Sequence, residues 1–203
     1  MNNEKELKQE FSKAKEEIAR PLSNFDIKYW LNRNGIECNI ISYHLLSPNM
    51  KLRDLFSKDD CCIVLYNIEH QNTGHWCCLI RIDKDTVEFF DPYASKLDYN
   101  LRYAKNKFPT ITAILKKNAI KNIVFNNMKF QRVNNAISTC GRHCAFRILH
   151  YKMSLEEYQN GFLNSGFPSK LYDYYIYLLT SDIMKEKAPE VFHYTYSDDE
   201  ENN

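Results

Sequence analysis

Gly74-His75-Trp76-Cys77-Cys78-Leu79-Ile80-Arg81-Ile82-Asp83-Lys84-Asp85-Thr86-Val87-Glu88-Phe89-Phe90-Asp91-Pro92 reads as two strands and a turn. Apolar and β-branched residues fill 75–82 and 86–91, and Asp83-Lys84-Asp85 supplies the turn between them. Side chains alternate across a strand, so loop length decides which residues share a face. With a three-residue loop, Ile82 faces Thr86, Cys77 lies opposite Asp91, and His75 lies opposite Tyr93. His75 and Asp91 then sit diagonally on one face, within side-chain reach. A two-residue loop would pair Ile82 with Val87 and turn Asp91 to the other face. Contact between the histidine and the carboxylate therefore requires an odd loop or a bulge.

Strand-like runs also occupy residues 37–43 and 61–67, with shorter ones at 122–125 and 128–133. Upstream, residues 4–19 carry Leu7, Phe11, Ala14 and Ile18 at helical spacing until Pro21 stops them. Ser23 and Asp26 form a capping box for a second helix that ends at Gly35. Residues 97–118 read as two helical pieces broken around Pro109. Further helices are expected from Cys140 towards Tyr151, from Ser154 with Glu157 as its cap, and after Pro168. The fold class is α+β: a small central mixed or antiparallel sheet flanked by helices. Residues 1–21 form an N-terminal helical extension, residues 22–190 a single domain, and residues 191–203 an acidic tail expected to be disordered.

The 203 residues suit one compact domain, and 44% hydrophobic with 14% aromatic content is enough for a core, which excludes a wholly disordered chain. A net charge of +1, from 27 Lys+Arg against 26 Asp+Glu, argues against strong non-specific duplex binding. The longest apolar runs are too short to span a bilayer, and the charged N-terminus lacks the apolar stretch of a signal peptide. The expectation is a soluble, intracellular protein. Its seven cysteines, two pairs of them adjacent (Cys61-Cys62 and Cys77-Cys78), then read as reduced, buried thiols, because strand neighbours point to opposite faces.

Three segments carry chemistry together. Asn72-Thr73-Gly74-His75-Trp76 places a histidine at a strand start. Phe89-Phe90-Asp91-Pro92-Tyr93 places a carboxylate at the end of the next strand. Gln131 then precedes Ser138-Thr139-Cys140-Gly141-Arg142-His143-Cys144, where Cys140 falls at a helix start. A helix N-terminus stabilises a thiolate, an imidazole can accept the thiol proton, and a carboxylate can fix the imidazole tautomer. Cys140, His143 and Cys144 share one helix turn, but no second spaced ligand pair accompanies them, so no metal is expected.

In this order and on these elements, Gly74-His75-Trp76, Phe90-Asp91-Pro92, Gln131 and Thr139-Cys140-Gly141 resemble adenain, the maturation protease of adenoviruses. The wider group takes in SUMO-deconjugating proteases and proteases of other DNA viruses, virophages and Polinton-type elements. The resemblance covers residues 60–150 and implies a papain-like cysteine protease with its nucleophile at a helix N-terminus. It makes Cys140 the nucleophile and His75 the general base and acid. Asp91 would orient His75, Gln131 would donate to the oxyanion beside the Cys140 N–H, and Trp76 would narrow a channel that favours glycine at the scissile bond. Asp91 stands where adenain has Glu and the SUMO proteases have Asp. The Gln-to-Cys spacing is about two residues longer than is usual in the family, which leaves Asn134 or Asn135 as alternative donors. Residues 120–133 contain no cysteine to hold a disulfide-linked activating peptide such as adenain uses.

The implied function is cleavage of viral structural precursors, as in capsid maturation, within the host-cell cytoplasm and the virion. Capsid precursors are then the partners, no membrane is involved, and no resident cofactor is implied, though DNA or a peptide could serve as activator. The basic stretch Lys105, Lys107, Lys116, Lys117 and Lys121 leaves weak DNA contact open. Three alternatives stand beside this reading: a deconjugating protease for SUMO- or ubiquitin-like modifiers, an acetyltransferase using the same residues, and a catalytically degenerate capsid or scaffold binding module.

Overall fold

The computed structural model describes residues 2–67, 74–103, 107–182 and 184, and of residues 2–8, 11 and 103 the backbone only. Asn72, Thr73, Lys105 and the acidic tail at 191–203 lie outside the described residues. A five-stranded sheet holds β1 (Asn39–Ser42), β2 (Cys61–Asn67), β3 (Gly74–Arg81), β4 (Thr86–Phe90) and β5 (Asn122–Phe125) in the order of the sequence. The β2–β3 and β3–β4 pairs are antiparallel, while β1 and β5 flank them in parallel, so the sheet is mixed. Helices surround it: α1 (Asn2–Ala19), α2 (Asn24–Arg33), α3 (Leu52–Leu55), α4 (Thr110–Lys117), α5 (Cys140–Leu149), α6 (Leu155–Leu163) and α7 (Tyr172–Thr180). No helix among the described residues is long and apolar enough to cross a membrane.

The β3–β4 register is the one a three-residue loop dictates. Cys78 pairs with Phe90 and Ile80 with Glu88, and the Ile82 N–H donates to the Thr86 carbonyl at 3.0 Å. Alternation then divides the cysteines between two cores. Cys61 and Cys78 join Trp76, Ile80 and Phe90 beneath α5, whereas Cys62 and Cys77 join Leu79, Val87 and Phe89 beneath α4. All seven cysteines are free and buried, as expected of small hydrophobes in a reduced protein.

The capping boxes form as read. Ser23 and Asp26 bond each other's backbone at the start of α2, and Ser154 and Glu157 do so at α6. Pro109 immediately precedes α4, which accounts for the break in the 97–118 region. The expected strand at 128–133 does not form. The Phe130 and Gln131 N–H groups both donate to the Pro92 carbonyl, at 2.8 and 3.0 Å, instead of to a neighbouring strand. That loop contact brings Gln131 beside the end of β4.

Two buried arginines fasten α5. Arg147 meets Glu88 of β4 through two hydrogen bonds of 2.8 Å, with both side chains 1% exposed. Arg142 pairs with Glu17 of α1 and donates to Thr180 Oγ1 of α7 at 3.1 Å. The Ser138 N–H donates to the Ile18 carbonyl at 2.8 Å, and Ala14 is buried. The end of α1 therefore packs directly behind the start of α5.

Candidate active site

His75 and Asp91 meet as the register requires: His75 Nε2 lies 2.7 Å from Asp91 Oδ1. Both point to the face of the sheet opposite α5. Cys140 opens α5 and meets His75 around the end of the sheet, where both line one cleft. Asp91 occupies Nε2, so Nδ1 is the nitrogen left for the thiol. The first N–H groups of α5 have no helical carbonyl to satisfy them and bring their partial positive charge to Cys140.

Glycines permit this approach. A Cβ on Gly74 would lie 2.5 Å from the Tyr66 carbonyl oxygen, so only glycine lets β3 start this close to β2. A Cβ on Gly141 would meet Leu22 and Trp76 at 3.2 Å, where α5 rests on the indole. Trp76 is held by its Nε1–H, which donates to the Leu22 carbonyl at 3.1 Å.

Asp91 is buried at the centre of a network. Oδ1 also accepts from the Tyr93 N–H at 2.8 Å, and Oδ2 accepts from Asn100 Nδ2 at 2.8 Å. Burial opposes its charge, but these donors, His75 foremost, outweigh it and hold the carboxyl below its ordinary range. Burial likewise opposes a charged imidazole at His75. Cys77, Asp91 and Cys140 around it prevail and hold it well above the usual histidine range. The Asn126 side chain accepts from the Asp91 N–H (2.9 Å) and donates to its carbonyl (2.7 Å), continuing the β4–β5 pairing one step past the end of β5.

Gln131 is buried, and its Nε2 donates to Tyr93 Oη at 3.1 Å and to the Ile137 carbonyl at 3.4 Å, while Oε1 has no partner among the described residues. Asn134 is exposed, and its Oδ1 caps the Ala136 N–H in a turn. Of the two neighbouring asparagines, only Asn135 lines the cavity with Gln131. That cavity, about 980 Å³, runs past His75, Trp76, Tyr93, Gln131 and Cys140. His143, one turn into α5, is fully buried between Phe130 and Phe162, and burial pulls it down to about 3, so it packs as a neutral ring.

Sequence reading missed four supports. Tyr93 stacks on the His75 ring at 4.5 Å, with 19° between their planes, and follows Asp91-Pro92 closely enough to have been suspected. Asn100, in the short 3-10 helix Tyr99–Tyr103, and Asn126, just past the end of β5, carried no signal beyond being asparagines. Asp173 of α7 accepts from Thr139 Oγ1 at 2.6 Å and from Arg132, fixing the loop before Cys140 from 34 residues away.

A strand histidine backed by a buried aspartate thus meets a helix-start cysteine at one cleft, an arrangement that can support thiol chemistry. The chain is 31% identical over 146 residues to the uncharacterized protein V9 of Sputnik virophage, spanning 68% of this chain and 81% of the relative, and it belongs to that protein's family. Among solved structures it is similar to the ASFV pS273R protease, at 15% identity and a TM-score of 0.47 over 78% of this chain and 66% of that one. A selenomethionine form of the same protease gives 12% identity and a TM-score of 0.42 over 78% and 67%. The chain thus spans just under two thirds of the length of the first of these structures. No protein-family model matches it.

Proposed function

We propose that the chain is an adenain-type cysteine endopeptidase that cuts viral structural precursors at glycine-containing sites during capsid maturation. The observation that carries this reading is that His75 of β3 and Cys140 of α5 line one cleft, with Asp91, the residue after β4, bonded to His75 behind it. In the reaction, His75 Nδ1 takes the Cys140 thiol proton and the thiolate attacks the scissile carbonyl carbon. The oxyanion is met by the Cys140 N–H and by Gln131 Nε2, which exchanges its longer bond to the Ile137 carbonyl for the substrate. His75 then gives its proton to the leaving amine. Water, deprotonated by His75, splits the thioester and returns the thiol.

Asp91 keeps its charge and holds Nε2–H, so Nδ1 is the basic nitrogen. Trp76, seated against Leu22 and Gly141, narrows the cleft at Cys140 and favours residues without a side chain. Membership in a family with a virophage protein supports a viral setting.

The test is intact-mass labelling with a Gly-Gly peptide vinyl electrophile, with DNA and capsid protein present or absent. One adduct on the wild type, absent from Cys140→Ala and slowed in His75→Ala, is expected. Labelling that persists in Cys140→Ala overturns the assignment.

A further inference from the structure

The proposed mechanism leaves one nucleophile beside the His75–Asp91 pair unused. Cys77 follows His75 by two residues on β3, so its thiol shares the face of the imidazole and the carboxylate. Continuing the observed register places it directly opposite Asp91. Donor atoms of His75, Cys77 and Asp91 all lie within 4.8 Å of one another, and the three residues are buried. Asn100 Nδ2 reaches both sides of this group, at 2.8 Å from Asp91 Oδ2 and 3.4 Å from Cys77 Sγ.

We propose that His75, Cys77 and Asp91 form an inhibitory site for a thiophilic divalent cation, Zn²⁺ foremost. Nitrogen, sulfur and carboxylate oxygen are the donors Zn²⁺ takes, and three protein ligands leave a fourth position for water. Binding releases two protons to solvent: the Cys77 thiol becomes a thiolate, and the imidazolium of His75 gives up its Nε2 proton to bind as a neutral ring. The resulting unit of Zn²⁺, thiolate, carboxylate and neutral imidazole carries no net charge, which suits a buried position. Asn100 then orients the ligands from behind. The ion takes the Nε2 lone pair and displaces the hydrogen bond to Asp91. The imidazole proton is left on Nδ1, facing Cys140, so His75 can no longer accept the thiol proton.

The cation site does not depend on whether Cys140 cleaves peptides, and its test uses metal binding. Full-length Cys140→Ala protein, kept reduced with a phosphine, is titrated with Zn²⁺ against a chromophoric chelator and with Co²⁺ by absorption. One equivalent is expected, with a thiolate-to-cobalt charge-transfer band. Adding Cys77→Ser should weaken binding by at least about 100-fold and abolish the band. Asp91→Asn, checked for folding by circular dichroism, should weaken it as well and serves as the second probe if Cys77→Ser does not fold. In the wild type, Zn²⁺ should slow labelling of Cys140 and a chelator should restore it, while the Cys77→Ser single variant should resist the ion. Binding that survives Cys77→Ser, binding that disappears in Cys140→Ala, or no binding at all overturns the proposal.

Discussion

Tyr93 lies flat against His75, its ring centroid 4.5 Å from the imidazole, and the same side chain accepts a hydrogen bond from Gln131 at 3.1 Å. Its backbone N–H binds Asp91. One residue thus ties the imidazole, its carboxylate and the proposed oxyanion donor together. Tyr93→Phe keeps the stack and the backbone bond but frees Gln131. A hydrogen bond of this kind is worth about 1 kcal/mol, so the second-order labelling rate should fall roughly fivefold with the melting temperature little changed. Tyr93→Ala removes the stack too and should lower both.

Gln131 and its neighbours can be separated by rate. Gln131→Ala should lower kcat on a Gly-Gly peptide by about 10²–10³, the usual loss for one oxyanion donor. Asn134→Ala, which removes only a turn cap at the surface, should leave kcat within about twofold. A large effect at Asn134 would move the donor role there.

The His75–Asp91 pair gives stability a pH window. Asp91 sits below its ordinary 3.8, so its contribution is present above that value and is lost as pH falls through the lower folded-state value. His75 sits above its ordinary 6.5, so its contribution is complete below 6.5 and fades as pH rises through the higher folded-state value. The melting-temperature gap between wild type and Asp91→Asn should be widest between these two ordinary values. A gap that is flat from acid to alkaline pH would contradict the pairing.

Glu17 compensates Arg142, whose own guanidinium is 1% exposed. Glu17→Ala leaves a buried cation with fewer partners and should cost about 1–3 kcal/mol in urea denaturation. Glu16→Ala, one residue earlier and exposed, should stay within about 0.5 kcal/mol. Equal losses at both would mean that α1 contributes only its own helicity.

The parts of this fold legible in the sequence were those set by local period and spacing. Loop length from Asp83 to Asp85 fixed a parity, and parity fixed that His75 meets Asp91. The capping boxes at Ser23 and Ser154 and the break at Pro109 are equally local. The 128–133 segment was misread because its β-like composition serves a loop that Pro92 anchors, a partner no window of sequence reveals. Asp173 beneath Thr139, Glu17 beside Arg142 and Asn126 extending β5 are likewise contacts between distant positions. Each was visible only once the elements were packed. Among the neighbours of Gln131, sequence left Asn134 and Asn135 as rivals; the structure puts Asn134 on the surface, while Gln131 and Asn135 both line the cleft.

Cys140 stands on the helical layer beneath one face of the sheet and His75 on the other face, and they share a cleft only around the sheet's end. Neither core alone assembles the pair. A nascent or partly unfolded chain, or one with Lys84 deleted so that the β3–β4 pairing slips by a residue, therefore has a cysteine and a histidine but no activated thiol. Under the proposed function, reactivity of Cys140 becomes a report that both halves of the molecule are complete.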